Sequence, residues 1–155
     1  MSNDSSYVIE RIVEEFNLVQ KEFQAKAKTA LQSAFKEFFD ANPRIEGVYW
    51  RQYTPYFNDG DTCEFRVAEM YALAGPTSED EQYDHPEDRS NTFDDYGRYG
   101  DEAFNKEWAA EIKNFSKFNR TINQLPDDVF LQTFGDHSSI TATRAGFDVE
   151  EYEHE

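Results

Sequence analysis

Asp59, Asp61 and Glu64 crowd around Gly60, and Asp94-Asp95 forms a second carboxylate pair. Clustered carboxylates can hold a divalent cation or perform acid–base work. Asp59 and Asp61 with His137 outline a metal-dependent hydrolase. The spacing gives that outline little support. Asn58-Asp59-Gly60-Asp61 lacks the twelve-residue frame of an EF-hand, and neither a His-Glu-x-x-His motif nor a cysteine pair occurs. Aspartates at turns ordinarily bond neighbouring amides, which accounts for Asp59 more simply. Of the three histidines, His85 lies in an acidic stretch and His154 beside the final residue. Only His137 has useful neighbours, Asp136, Ser138 and Ser139. No G-x-S-x-G context surrounds the serines, so a hydrolase triad has no motif behind it. Cys63 falls on an apolar strand face and reads as a small hydrophobe. The sequence implies no catalytic residue, no metal and no cofactor.

Two other constellations carry more weight. Tyr49, Arg51 and Tyr53 alternate along one strand, and the hairpin register places Arg66 beside Tyr53. Arginine pairs bidentately with phosphate and tyrosine stacks a base, so this face is a candidate site for a nucleotide or other charged small ligand. The plain alternative is cross-strand packing, with Arg51 answered by Glu64 or Glu69. The second constellation is the acid itself. The 155 residues hold 32 Asp and Glu against 15 Lys and Arg, a net charge of −17. Such a charge repels nucleic acid and anionic membrane and can steer basic proteins. Its densest run is Glu79, Asp80, Glu81, Asp84, Glu87, Asp88, Asp94 and Asp95, opposed there by Arg89 alone. These acids are the candidate surface for a basic partner protein.

The elements that position these residues follow from spacing. The length favours one domain over 1–155, and 25 aromatics (14 Phe, 9 Tyr, 2 Trp) supply a core. Residues 1–6 and 153–155 read as frayed. Ile9, Ile12, Phe16, Val19, Phe23, Ala27, Leu31, Ala34, Phe35 and Phe38 recur at steps of three and four, which predicts one long helix from about Tyr7 to Asp40, stopped by Asn42-Pro43. Strand-like runs between Ile45 and Leu73 flank Asp59-Gly60, a type I′ turn pair, and predict a hairpin. In it Gln52 faces Val67, Trp50 faces Glu69 and Val48 faces Tyr71, with Trp50, Val48, Phe65, Val67 and Cys63 inward. Residues 74–101 read as a long acidic loop. A second helix is predicted from Asp101 to about Gln124, a short one from Pro126 to Thr133, and a second hairpin around Arg144-Ala145-Gly146. The fold class is α+β: an antiparallel sheet of about four strands in two hairpins, covered by the long N-terminal helix and the second amphipathic helix. A helix of that length has more apolar surface than such a sheet can cover, so its N-terminal half is expected to meet a symmetry mate in a homodimer.

Tyr49-Trp50-Arg51-Gln52-Tyr53-Thr54-Pro55-Tyr56-Phe57-Asn58-Asp59-Gly60-Asp61-Thr62-Cys63-Glu64-Phe65 resembles a stretch in small acidic proteins of tailed bacteriophages. The segment from Phe134-Gly135-Asp136-His137 through Ile140 to Tyr152 resembles the same group. The group brings no established activity or site residues with it. The resemblance implies a phage accessory protein acting in the host bacterial cytoplasm, which agrees with the lone Cys63 and the lack of a signal-peptide pattern in the first residues. The leading functional expectation is non-enzymatic: binding and inhibition of a basic host protein, in defence or nucleic-acid handling. A nucleotide-binding sponge on the Arg/Tyr face is the alternative, with the metal-dependent hydrolase an outside one.

Overall fold

The apolar repeat in the first quarter of the chain produces a single unbroken helix. In the computed structural model, which describes residues 5–55, 60, 63–75 and 91–152, α1 runs Ser5–Ala41. It therefore begins inside the segment expected to be frayed. At 1.5 Å per residue it is about 55 Å long. Asn42 stops it: Pro43 follows, and the buried Asn42 side chain folds back, its Nδ2 donating to Phe38 O at 2.9 Å. Asn114 Nδ2 donates in turn to Asn42 Oδ1 at 2.8 Å, which pins the helix end to a later helix.

The sheet is antiparallel and contains six strand segments rather than about four: β1 Gly47–Tyr53, β2 Arg66–Val67, β3 Tyr71–Leu73, β4 Thr92–Phe93, β5 Ser138–Thr143 and β6 Gly146–Glu151. Its order is β4-β3-β1-β5-β6, with β2 also on β1. The first hairpin has the expected register at its turn end, Gln52 opposite Val67 and Tyr53 opposite Arg66. Beyond Ala68 it slips by one, so Tyr49 faces Tyr71 and Val48 faces Ala72, not Tyr71. One extra residue between Ala68 and Tyr71 makes a bulge that splits the return strand into β2 and β3. The slip turns Met70 into the core and puts Tyr71 on the same face as Tyr49. The second hairpin forms as expected, with Arg144-Ala145 as its loop, and joins the first through β1 and β5.

The region read as a long loop also contains structure. Thr92–Phe93 adds β4 to the sheet edge, and Asp94 bridges Gly97. Gly97 has a positive φ of 97°, and a β-carbon there would collide with Asn105, whose side chain caps both backbone groups of Arg98. The second helix is two, α2 Glu102–Glu107 and α3 Ala109–Ile122, because Trp108 leaves helical geometry. Its ring stacks on Phe104 and receives the Arg44 guanidinium 3.8 Å from its centroid, while Arg44 pairs with Glu107 and Glu111. The last helix, α4 Asp127–Phe134, ends at Gly135 (φ 90°).

The hydrophobic core lies on one face of the sheet. Phe35 of α1 stacks on Trp50 of β1, and Phe130 and Phe134 of α4 meet the same indole edge-on. Only the C-terminal half of α1 takes part. Leu31, Phe35, Phe38 and Phe39 are buried, while nine large apolar residues from Tyr7 to Phe23 are 50% to 63% exposed. Among the described residues no helix is long and apolar enough to cross a membrane.

Candidate functional site

Strand alternation decides which side chains of β1 point away from the core, where Tyr49 is nonetheless buried and Arg51 and Tyr53 are half-buried. Val48, Trp50 and Gln52 point into the core, which leaves Tyr49, Arg51 and Tyr53 on the other side. Arg66 joins them because β2 pairs it with Tyr53, and its guanidinium lies 5.6 Å from the Tyr53 ring centroid. The four candidate ligand residues therefore do come together. Tyr152, following β6, completes the cluster. Its ring is 5.7 Å from that of Tyr53 and 4.5 Å from the Arg51 guanidinium. Arg51 donates through Nε to Tyr49 Oη at 3.0 Å and through Nη1 to Tyr152 Oη at 3.5 Å. Neither Arg51 nor Arg66 forms an ion pair among the described residues. Glu69, one of the acids expected to answer Arg51, accepts instead from the Tyr71 hydroxyl at 3.3 Å.

The two stretches that carry the phage resemblance meet at this end of the sheet. Gln52, fully buried, accepts from Trp50 Nε1 at 3.0 Å and donates to Phe130 O at 2.9 Å and Gly135 O at 2.7 Å. Thr54 donates from its amide to Asp136 Oδ1 (2.8 Å) and from its hydroxyl to Oδ2 (2.7 Å), and His137 N donates to Oδ1 at 2.8 Å. Partial burial pushes the Asp136 carboxyl up, but these hydrogen bonds from Thr54 and His137 outweigh it and hold the group below its ordinary 3.8. Asp136 is thus a structural clasp between β1 and the start of β5. His137 sits in the left-handed region (φ 51°), its Nε2 3.8 Å from Asp136 Oδ1. Ser138 is buried and donates to Phe134 O and Asp136 O, which commits its hydroxyl to backbone carbonyls. These neighbours serve the bend into β5 and form no nucleophile–base pair.

Of the candidate acidic surface, Glu79, Asp80, Glu81, Asp84, Glu87 and Asp88 lie outside the described residues, as do Asp59, Asp61, His85 and His154. Asp94 accepts from Tyr96 N and shapes its own turn, and Asp95 accepts from Asn119 Nδ2 at 2.8 Å. The described structure adds an acidic edge at β6, where Asp148, Glu150 and Glu151 are exposed. Among the described residues no group of three or more His, Cys, Asp or Glu is placed to hold a metal ion.

Sequence reasoning missed Tyr152, Gln52 and the Thr54–Asp136 clasp. Alternation in the last strand puts Tyr152 on the face of Asp148 and Glu150, but only the β1–β5 pairing brings that face beside Arg51. A polar residue between Trp50 and an inward-facing strand position was the available sign for Gln52. In comparisons with protein-family models, curated proteins and solved structures, nothing matches this chain.

Proposed function

We propose that this chain is a non-enzymatic accessory protein of a tailed phage, working in the host bacterial cytoplasm. It binds and inhibits a basic host protein, in defence or nucleic-acid handling, through its acidic surface. The observation that carries this reading is the net charge of −17 on 155 residues, enough to project a field of several kT. The exposed Asp148, Glu150 and Glu151 on an edge strand, and the structural commitment of Asp136 and Ser138, support it. The test is capture from host lysate on immobilised protein at low and high salt. Alongside it runs a variant with Asp148, Glu150, Glu151 and the acids of 79–88 changed to amides. A partner retained at low salt, lost as screening shortens the Debye length to about 3 Å at 1 M, and absent from the amide variant is the expected result. Enrichment of no protein at low salt, or equal capture by the amide variant, contradicts it.

A second reading has its own observation. Arg51 and Arg66 face a tyrosine-lined surface without an ion pair among the described residues, in a protein with more than twice as many acids as cations. That chemistry suits a small anionic ligand such as a nucleotide. A nucleotide at about 100 times its dissociation constant adds roughly 2.7 kcal/mol and raises the melting temperature, and Arg51→Ala abolishes the shift. A shift that survives Arg51→Ala removes this site from consideration.

A further inference from the structure

The exposed stripe of α1 does not end where the helix reaches the rest of the protein. It runs from Ile9, Ile12, Phe16 and Val19 to Phe23 and continues as Ala27, Ala30 and Ala34. Those alanines floor an open groove of about 370 Å³, walled by Phe118, Ile122, Leu125 and Val129 of α3, α4 and the turn between them. Large side chains occupy the projecting half of the stripe and small ones the half inside the groove. From Ile9 to Ala34 the stripe spans about 38 Å, and contiguous apolar patches on monomers rarely exceed a few hundred Å².

Charge along the same helix is divided at the same place. Residues 5–20 hold Glu10, Glu14 and Glu15 with one arginine. Residues 21–36 hold Lys21, Lys26, Lys28 and Lys36 with one glutamate. Residues 5–20 are thus net acidic and residues 21–36 net basic.

We propose that the occupant of the stripe and groove is α1 of a second copy, packed antiparallel about a two-fold axis near residues 19–20. With Phe16 opposite the partner's Phe23, the partner's Ile9 and Ile12 drop into the space over Ala30 and Ala27. An antiparallel pair lays the acidic residues 5–20 of one copy along the basic residues 21–36 of the other. A parallel pair instead sets the acidic segment against its own copy and the basic segment against its own, like against like. The antiparallel pair also carries the two acidic globular parts to opposite ends, which limits their repulsion.

The experiment is sedimentation combined with cysteine cross-linking, in a Cys63→Ser background. The protein is expected to dimerise, and Phe16→Asp, at an exposed position, is expected to weaken the dimer about 100-fold or more. Reversing Glu10 and Glu15 to Lys weakens it as well, and adding Lys26→Glu with Lys28→Glu restores it. On oxidation, Ile9→Cys is expected to link to Ala30→Cys of a second chain and not to itself. A protein that stays monomeric at about 1 mM overturns the proposal. So does Ile9→Cys linking to itself, or a Phe16→Asp dimer of undiminished affinity.

Discussion

The two halves of α1 carry the same kind of sequence and meet opposite fates. In both, apolar residues return every three or four positions. Yet Phe35 is 1% exposed and touches Phe39, Trp50, Phe118 and Phe147, whereas Phe16 is 58% exposed. Spacing fixes which side chains share a helix face; it does not say whether anything lies opposite that face. What covers the C-terminal half is the sheet and the later helices, and full burial begins only at Leu31. The contrast leaves the N-terminal half as exposed apolar surface, which the second copy proposed above would cover.

The comparison breaks most directly at Phe35. Phe35→Ala removes a ring from the centre of the aromatic core and is expected to cost about 3–5 kcal/mol, read as a shift in urea midpoint at unchanged slope. A cost below 1 kcal/mol means that the buried half is not the anchor described here. Next in size is Gln52→Ala, beneath the same half. It strands the Trp50 indole N–H and removes a donor from Phe130 O and Gly135 O, all in the interior. About 2–4 kcal/mol is expected from a buried polar group left without its partner. Gln52→Glu is a sharper version, since it keeps the shape and loses both donated bonds.

Asp136→Asn has a smaller effect, and pH reports it. The folded-state carboxyl titrates below 3.8, so the clasp contributes its stability in full above that value. The contribution is lost as pH falls through the lower folded value. The difference in stability between native and Asp136→Asn protein is thus expected at neutral pH and vanishes on acidification; a difference that grows below pH 3.8 has the wrong sign. The side chain is 37% exposed, so screening keeps the effect modest. Smallest of all is Phe16→Ser measured in dilute protein, expected within about ±0.5 kcal/mol because the ring has little to lose in a single chain.

Much of the architecture was legible because local chemistry set it. Asn42-Pro43, Pro126 and Gly135 bound their helices, and Arg144-Ala145 turns the second hairpin. What was hidden depends on non-local choices. One extra residue between Ala68 and Tyr71 shifts the register, and no residue type there announces it. Thr92–Phe93 becomes a strand only because β3 offers an open edge, and Trp108 leaves the helix to meet Phe104 and Arg44. The candidate face shows the same division. Tyr49, Arg51 and Tyr53 follow from alternation in one strand, and Arg66 from the turn. Tyr152 required knowing that β5 joins the two hairpins.

Amide hydrogen exchange along α1, followed in dilute and concentrated protein, tests the contrast between its halves most directly. Amides from Leu31 to Ala41 are expected to stay protected at every concentration. Those from Ser5 to Phe23 are expected to exchange quickly in dilute protein and to gain protection as concentration rises and second copies cover the stripe. Equal protection of both halves, independent of concentration, contradicts the account.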